Sequence, residues 1–196
     1  MSTPATARTH DVNFRTSAQG FYVRNDNGGL TLHDDNIVWS VDGKPDGAPY
    51  KNIAAIELRS GGWGGVPYQC RIRFKDGLML LVVNTDANGR PDDGAAARYR
   101  SFVHDLHDRL AARSDVSTYY SAGLPEGGHM LMLICTALLG LIFVVGPIIG
   151  FIITRDLRSF LLMIFAPLFY WPLTTMVRKN APQSYTPDRV PNDVLG

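Results

Sequence analysis

Charge of one sign is not in excess across residues 1–129, which hold 14 Lys/Arg and 15 Asp/Glu. Without a basic surplus, nucleic acid is excluded as the main partner. Cysteine is scarce too. The two residues are Cys70, in a predicted strand, and Cys135, in an apolar run, so no disulfide framework is expected. The N-terminus has no apolar run, so no secretory signal is expected there. Residues 1–19 read as a flexible arm.

The motifs of catalysis are missing as well. There is no nucleophile elbow, P-loop or dinucleotide glycine fingerprint. The run Ser60-Gly61-Gly62-Trp63-Gly64-Gly65 lacks the Lys-Ser/Thr that a phosphate loop needs. The stretch NTDANGRPDDG resembles a calcium loop only loosely, because Arg90 falls at a ligand position. His104 and His107 stand at i and i+3, interleaved with Asp105 and Asp108. These spacings point in several directions, so they read as solvated or helix-capping groups and not as a metal site. No enzyme activity, cofactor or metal is expected.

What is present is long apolar sequence. Between Met130 and Val177 only Arg155, Asp156 and Arg158 are charged. Residues 130–153 are 24 uncharged positions, roughly 36 Å of helix, and residues 159–177 give roughly 28 Å. Both lengths suit a bilayer core, with 154–158 as a short loop between two antiparallel transmembrane helices. Neither run contains a charged residue, which speaks against a transporter or ion pore. Lys and Arg on the flanks of the pair favour both termini in the cytoplasm. Gly146 and Gly150 form a small-xxx-small pattern that lets backbones approach closely. They face either the chain's own second helix, a second copy of the chain, or a partner.

Residues 20–113 read as a β domain, followed by a juxtamembrane linker at 114–129. Leu30 and Leu32, then Ile37, Trp39 and Val41, alternate with polar neighbours. Asp34-Asp35-Asn36 is a turn signal, and Asp42 to Pro49 reads as a loop. Ala54, Ile56 and Leu58 resume the period, as do Tyr68, Cys70, Ile72 and Phe74. Leu78 to Asn84 is nearly all apolar and reads as a central strand. Antiparallel hairpins with one buried face are expected. After Asp92-Asp93-Gly94 the period becomes helical, with Tyr99, Phe102, Val103, Leu106 and Leu110 on one stripe.

The phrases GLTLHDDNIVWSV, YKNIAAIEL and YQCRIRFKDGLMLLV, followed by one helix, resemble the pleckstrin-homology-like (PH-like) domains of bacterial membrane proteins. The resemblance covers about residues 28–113. It implies an α+β fold: a curved antiparallel sheet, or partly open barrel, capped by a C-terminal amphipathic helix. Here a two-helix transmembrane hairpin would follow, then a Pro-containing tail at 178–196. Phosphoinositide-binding relatives carry clustered Lys/Arg at the first hairpin loop. This chain has Asp34-Asp35-Asn36 there, so that activity does not carry over.

Two surfaces stand out. Arg71, Arg73 and Lys75 form a basic stripe, which either meets anionic head groups or is a solvated strand face near Glu57. Trp63 tips the Gly-rich run, where it rests at the bilayer interface, docks on a partner, or folds back on its own barrel. The expected function is a non-enzymatic, membrane-anchored scaffold or accessory subunit. It would sit in the bacterial inner membrane, with lipids around the hairpin and a membrane protein as partner. The alternative is a membrane-surface or lipid-sensing regulator using Trp63 and the basic stripe.

Overall fold

The computed structural model describes residues 7–16, 29–41, 43–60, 68–86, 89–90 and 92–195. Among these the architecture is α+β, with ten strands in two sheets and three helices. The chain divides into two compact units. Residues 1–123 and 183–196 form the first, and residues 124–182 form the second.

In the first unit the strands are β1 (Arg8–His10), β2 (Asn13–Thr16), β3 (Leu30–Leu32), β4 (Asn36–Val41), β5 (Lys44–Pro49), β6 (Ile53–Arg59), β7 (Gln69–Phe74) and β8 (Met79–Val83). Helix α1 (Asp93–Ala111) and strand β9 (Tyr119–Ala122) follow, and β10 (Gln183–Ser184) comes from the C-terminal segment. One sheet has the order β1-β3-β4-β5, the other β10-β9-β6-β7-β8-β2. All pairings are antiparallel except β6 with β9.

Residues 8–16, expected within a flexible arm, contribute one strand to each sheet. His10, Val12, Phe14 and Thr16 are buried at period two. Two of those four positions are polar, which hides the alternation from a hydropathy reading. The chain crosses from sheet to sheet at Asp11-Val12. Gly29, at φ 61°, opens β3 so close to β1 that a Cβ there would collide with the carbonyl oxygen of His10.

The stretch expected as a loop before Tyr50 is instead β5, paired with β4 from Val41↔Lys44 to Asn36↔Pro49. It lies at the end of its sheet, where Pro45 and Pro49 are tolerated because an outer strand leaves half its N–H groups unpaired. In β6 a register shift between Ile53 and Ala55 brings Ile53, Ile56 and Leu58 into the core. The expected stripe of Ala54, Ile56 and Leu58 misses this bulge, which places two residues against one. Strand β8 runs between β7 and β2 and is buried on both faces at Leu80, Leu81, Val82 and Val83.

Asp92 caps α1 by accepting from the Ala95 backbone N–H at 2.6 Å. The helix buries Tyr99, Phe102, Val103, Leu106 and Leu110 against both sheets' inner residues, including Leu30, Trp39, Ile56 and Ile72. The C-terminal segment, expected as a tail, joins this core through Val194 and Leu195, which are 0% and 3% exposed.

The second unit holds α2 (Glu126–Thr154) and α3 (Leu161–Lys179). They pack antiparallel. The Leu124 N–H donates to the Asn180 carbonyl at 3.0 Å, and His129 Nε2 donates to the Val177 carbonyl at 3.2 Å. At the other end the rings of Phe151 and Phe160 lie 5.3 Å apart. Among the described residues one helix, α2, is long and apolar enough to cross a membrane, at 29 residues or about 43 Å. Helix α3 is shorter and carries Pro167, Pro172 and two threonines among its apolar residues.

Candidate functional site

The outer face of the six-stranded sheet carries the charged cluster. Arg71 on β7 stands opposite Glu57 on β6, and Ser121 on β9 stands opposite Glu57 on the other side. Residues paired in register share a face, and i±2 neighbours share it too. Arg59, Arg71 and Arg73 therefore converge on one carboxylate. Arg73 Nε reaches Glu57 Oε1 at 2.9 Å. Arg59 and Arg71 reach Oε2 only at 3.4 and 3.6 Å. Among the described residues, the Nε atoms of Arg59 and Arg71 are shielded from water and have no hydrogen-bond partner. Burial, then the Arg71 charge, holds the Arg59 guanidinium below its ordinary pKa.

The expected stripe of Arg71, Arg73 and Lys75 is thus rearranged. Lys75 lies in the turn beyond β7 and donates from Nζ to the Lys51 carbonyl at 2.6 Å. Arg59 takes its place. It escapes a reading of one strand because it reaches the cluster across the β6–β7 pairing. The available signal is Glu57-x-Arg59 beside Arg71-x-Arg73, two i, i+2 pairs on adjacent strands. Next to Arg73 an open groove of about 630 Å³ is lined by Ala54, Phe74, Leu78, Met79 and the exposed Tyr119. Trp63, the other expected contact, lies outside the described residues.

The HDLHD segment of α1 divides by exposure. His104 and Asp108 face solvent, whereas His107 is 1% exposed. His107 donates from Nδ1 to the Val103 carbonyl at 2.7 Å and accepts at Nε2 from the Tyr185 hydroxyl at 2.9 Å. That pattern fixes the neutral tautomer, and burial pushes its pKa down to about 4. Burial likewise pushes the Tyr185 phenol well above its usual value. Tyr120 completes the group, with ring centroids 5.6–5.7 Å from both.

Asp105 has a different role. It bonds His10 Nε2 at 2.8 Å and accepts from Arg109 Nε at 3.0 Å. Burial raises its pKa, but these two hydrogen bonds outweigh that, so the carboxyl sits below its ordinary range. Arg109 and Arg113 also donate to the carbonyls of His33 and Asp34, at 2.9 and 2.7 Å. The acidic β3–β4 turn is therefore tied to α1. Among the described residues no cluster of three His, Cys, Asp or Glu side chains could hold a metal. Cys70 is buried, its thiol pushed up to about 12, and Cys135 is exposed; both are free.

In the second unit Gly140 lies at a close approach. A Cβ there would lie 3.0 Å from Cε2 of Tyr170. Gly146 has no described atom within 4 Å of such a Cβ. Of the expected Gly146/Gly150 face, Gly146 is exposed and meets no described atom. Comparison with protein-family models, curated proteins and solved structures finds no match.

Proposed function

We propose that this chain is a non-enzymatic, membrane-anchored interaction module that serves as an accessory subunit of a larger membrane assembly. One observation carries the reading: the β unit is completed by sequence from both flanks of the helical pair. Ala122 of β9 is the register partner of Gln183 of β10, and Tyr185, Val194 and Leu195 are built into the same unit. A pair of helices that leaves and re-enters one sheet on neighbouring strands has its outer ends on one side of a bilayer. Helix α2 exposes large apolar side chains along its length, including Leu131, Ile142 and Ile153. In lipid such exposure is favourable, whereas in water it is an association hazard. On this reading α3 is the second span. The Trp171 ring, 76% exposed, then lies near an interface.

A PH-like ancestry of the β unit is supported by the strand order. Two sheets, antiparallel apart from the β6–β9 pairing, share one bent N-terminal segment, β1–β2, and a single helix closes the core. Strands β9 and β10 would be the elaboration that splices the membrane segment into it. The flanking Lys/Arg at 178–179 and 109–113 favour the cytoplasmic side for the β unit and both termini, and the proposed location is a bacterial inner membrane.

Reporter fusions at Ser2 and Gly196 should report the cytoplasm, and an insertion at Asp156 the opposite side. Mild-detergent purification with mass spectrometry should then return a stoichiometric membrane partner. Termini on opposite sides, or a chain that always purifies alone, would overturn the proposal. A second reading, sensing of an anionic surface, is favoured by the Arg59/Arg71/Arg73 cluster alone.

A further inference from the structure

We infer that Arg59, Arg71 and Arg73, gathered about Glu57 on the outer face of the six-stranded sheet, form a binding site for a phosphate monoester group. The site adds to the interaction-module reading and does not depend on it.

The argument begins with charge. Three guanidinium groups face one carboxylate, which leaves two positive charges uncompensated. Only one of the three contacts, Arg73 Nε to Glu57 Oε1 at 2.9 Å, has the length of a strong charge-assisted bond. Glu57 has two oxygens, and the second is shared at 3.4 and 3.6 Å by Arg59 and Arg71. The carboxylate is therefore outnumbered in donors as well as in charge.

The donors left over point to the ligand. Among the described residues, Nε–H of Arg59 and Nε–H of Arg71 are both shielded from water without a partner. Buried donors are nearly always paired, so two orphans in one cluster call for an acceptor. All three guanidinium groups lie within 3.6 Å of the one Glu57 carboxylate, so a small anion beside it can meet more than one of them. A carboxylate would bring one charge and repeat what Glu57 supplies. A phosphate monoester brings close to two charges and three acceptor oxygens, matching the surplus in both respects. Arginine's planar fork suits that geometry. Gln69 and Ser121, register partners of Arg59 and Glu57, add neutral hydrogen-bonding groups to the same face. Lys75 is not part of the site, because its ammonium is held on Lys51.

Such a group is carried by soluble phosphates and by the head group of phosphatidic acid. The test uses the full chain in neutral detergent at constant ionic strength. One arm titrates inorganic phosphate, with chloride as the reference, by calorimetry. The other adds mixed micelles of phosphatidic acid against phosphatidylcholine alone. Saturable binding is expected in at least one arm, and the arm that responds names the source. Arg59→Gln with Arg71→Gln should weaken it at least tenfold, and Lys75→Gln should leave it unchanged. Glu57→Gln should tighten it several-fold, since it releases Arg73 and removes the competing anion. That gain keeps the test decisive should the double variant misfold. No binding in either arm, equal binding in the double variant, or no gain in Glu57→Gln would overturn the assignment.

Discussion

Tyr185 donates its hydroxyl hydrogen to Nε2 of His107 across 2.9 Å, although the two residues are 78 positions apart. Everything between β9 and β10, including α2 and α3, lies between them in sequence. The bond closes a loop of chain that contains the helical unit, and both of its groups lie in the core region of the β unit. Here the helical unit is inserted in sequence within the β unit, whose core and sheet are complete only with the C-terminal segment.

The buried imidazole makes stability depend on pH. Unfolded, His107 takes up a proton near pH 6.5; folded, it does so only near pH 4. Between those values the unfolded state binds more protons, so stability is full above about pH 6.5 and falls as pH drops toward 4. The span corresponds to roughly 3 kcal/mol at most. Thermal melting of the full chain in detergent at pH 7.5, 6 and 5 should show the decline. His107→Gln, whose amide can still accept from Tyr185, should flatten it. An equal pH slope in that variant would assign the effect to other groups.

Tyr185→Phe keeps the ring but leaves His107 Nε2 without a donor. A buried acceptor stripped of its partner costs about 1–3 kcal/mol. The variant should melt lower by that amount at pH 7.5, read by near-ultraviolet circular dichroism. A loss under about 0.5 kcal/mol would mean that ring stacking with Tyr120, and not the hydrogen bond, holds the segment.

Gly140 and Gly146 should separate packing within the chain from packing between chains. Gly140→Leu forces the Tyr170 ring aside and should destabilise the helical pair by about 1–3 kcal/mol, read as a lower melting temperature in detergent. Gly146→Leu meets no described atom and should leave melting unchanged. If a second copy or a partner packs on the Gly146/Gly150 face, Gly146→Leu should lower cross-linked or co-purified complex at constant stability. Unchanged complex would place the partner elsewhere.

Period and length make much of this molecule legible. The alternation of Tyr68, Cys70, Ile72 and Phe74, the stripe from Tyr99 to Leu110, and the uncharged run over 130–153 each have one strong local signal. What is not legible depends on pairing at a distance. Strand β5 looks like a loop because only its register with β4 makes two prolines acceptable. Strands β1 and β2 alternate, but with His10 and Thr16 in buried places. Tyr185, Val194 and Leu195 are single apolar residues among prolines, with no period to report them. The Arg59/Arg71/Arg73 cluster needs the β6–β7 register, and Arg59 alone looks like a strand end.

The same long-range pairings decide which piece of the chain folds. Residues 20–114 hold β3 to β8 and α1, the span that resembles a self-sufficient domain. That fragment loses β2, which pairs with β8, and β9, which pairs with β6, so both flanks of the six-stranded sheet are stripped. It also loses Phe14, Val194 and Leu195 from the core. Sheet edges exposed in this way pair with other chains. The fragment is expected to aggregate or to melt without cooperativity. Residues 1–123 joined to 183–196 by a short Gly-Ser linker should behave differently, because Ala122 and Gln183 are direct neighbours in the sheet. That protein should be soluble, give a mixed α/β circular dichroism spectrum and unfold in one transition. Within it, Phe102→Ala should cost about 3–5 kcal/mol, since the ring is fully buried beneath α1. A cooperative transition in residues 20–114, as stable as in the joined protein, would show that the flanking strands and C-terminal segment decorate the core and do not complete it.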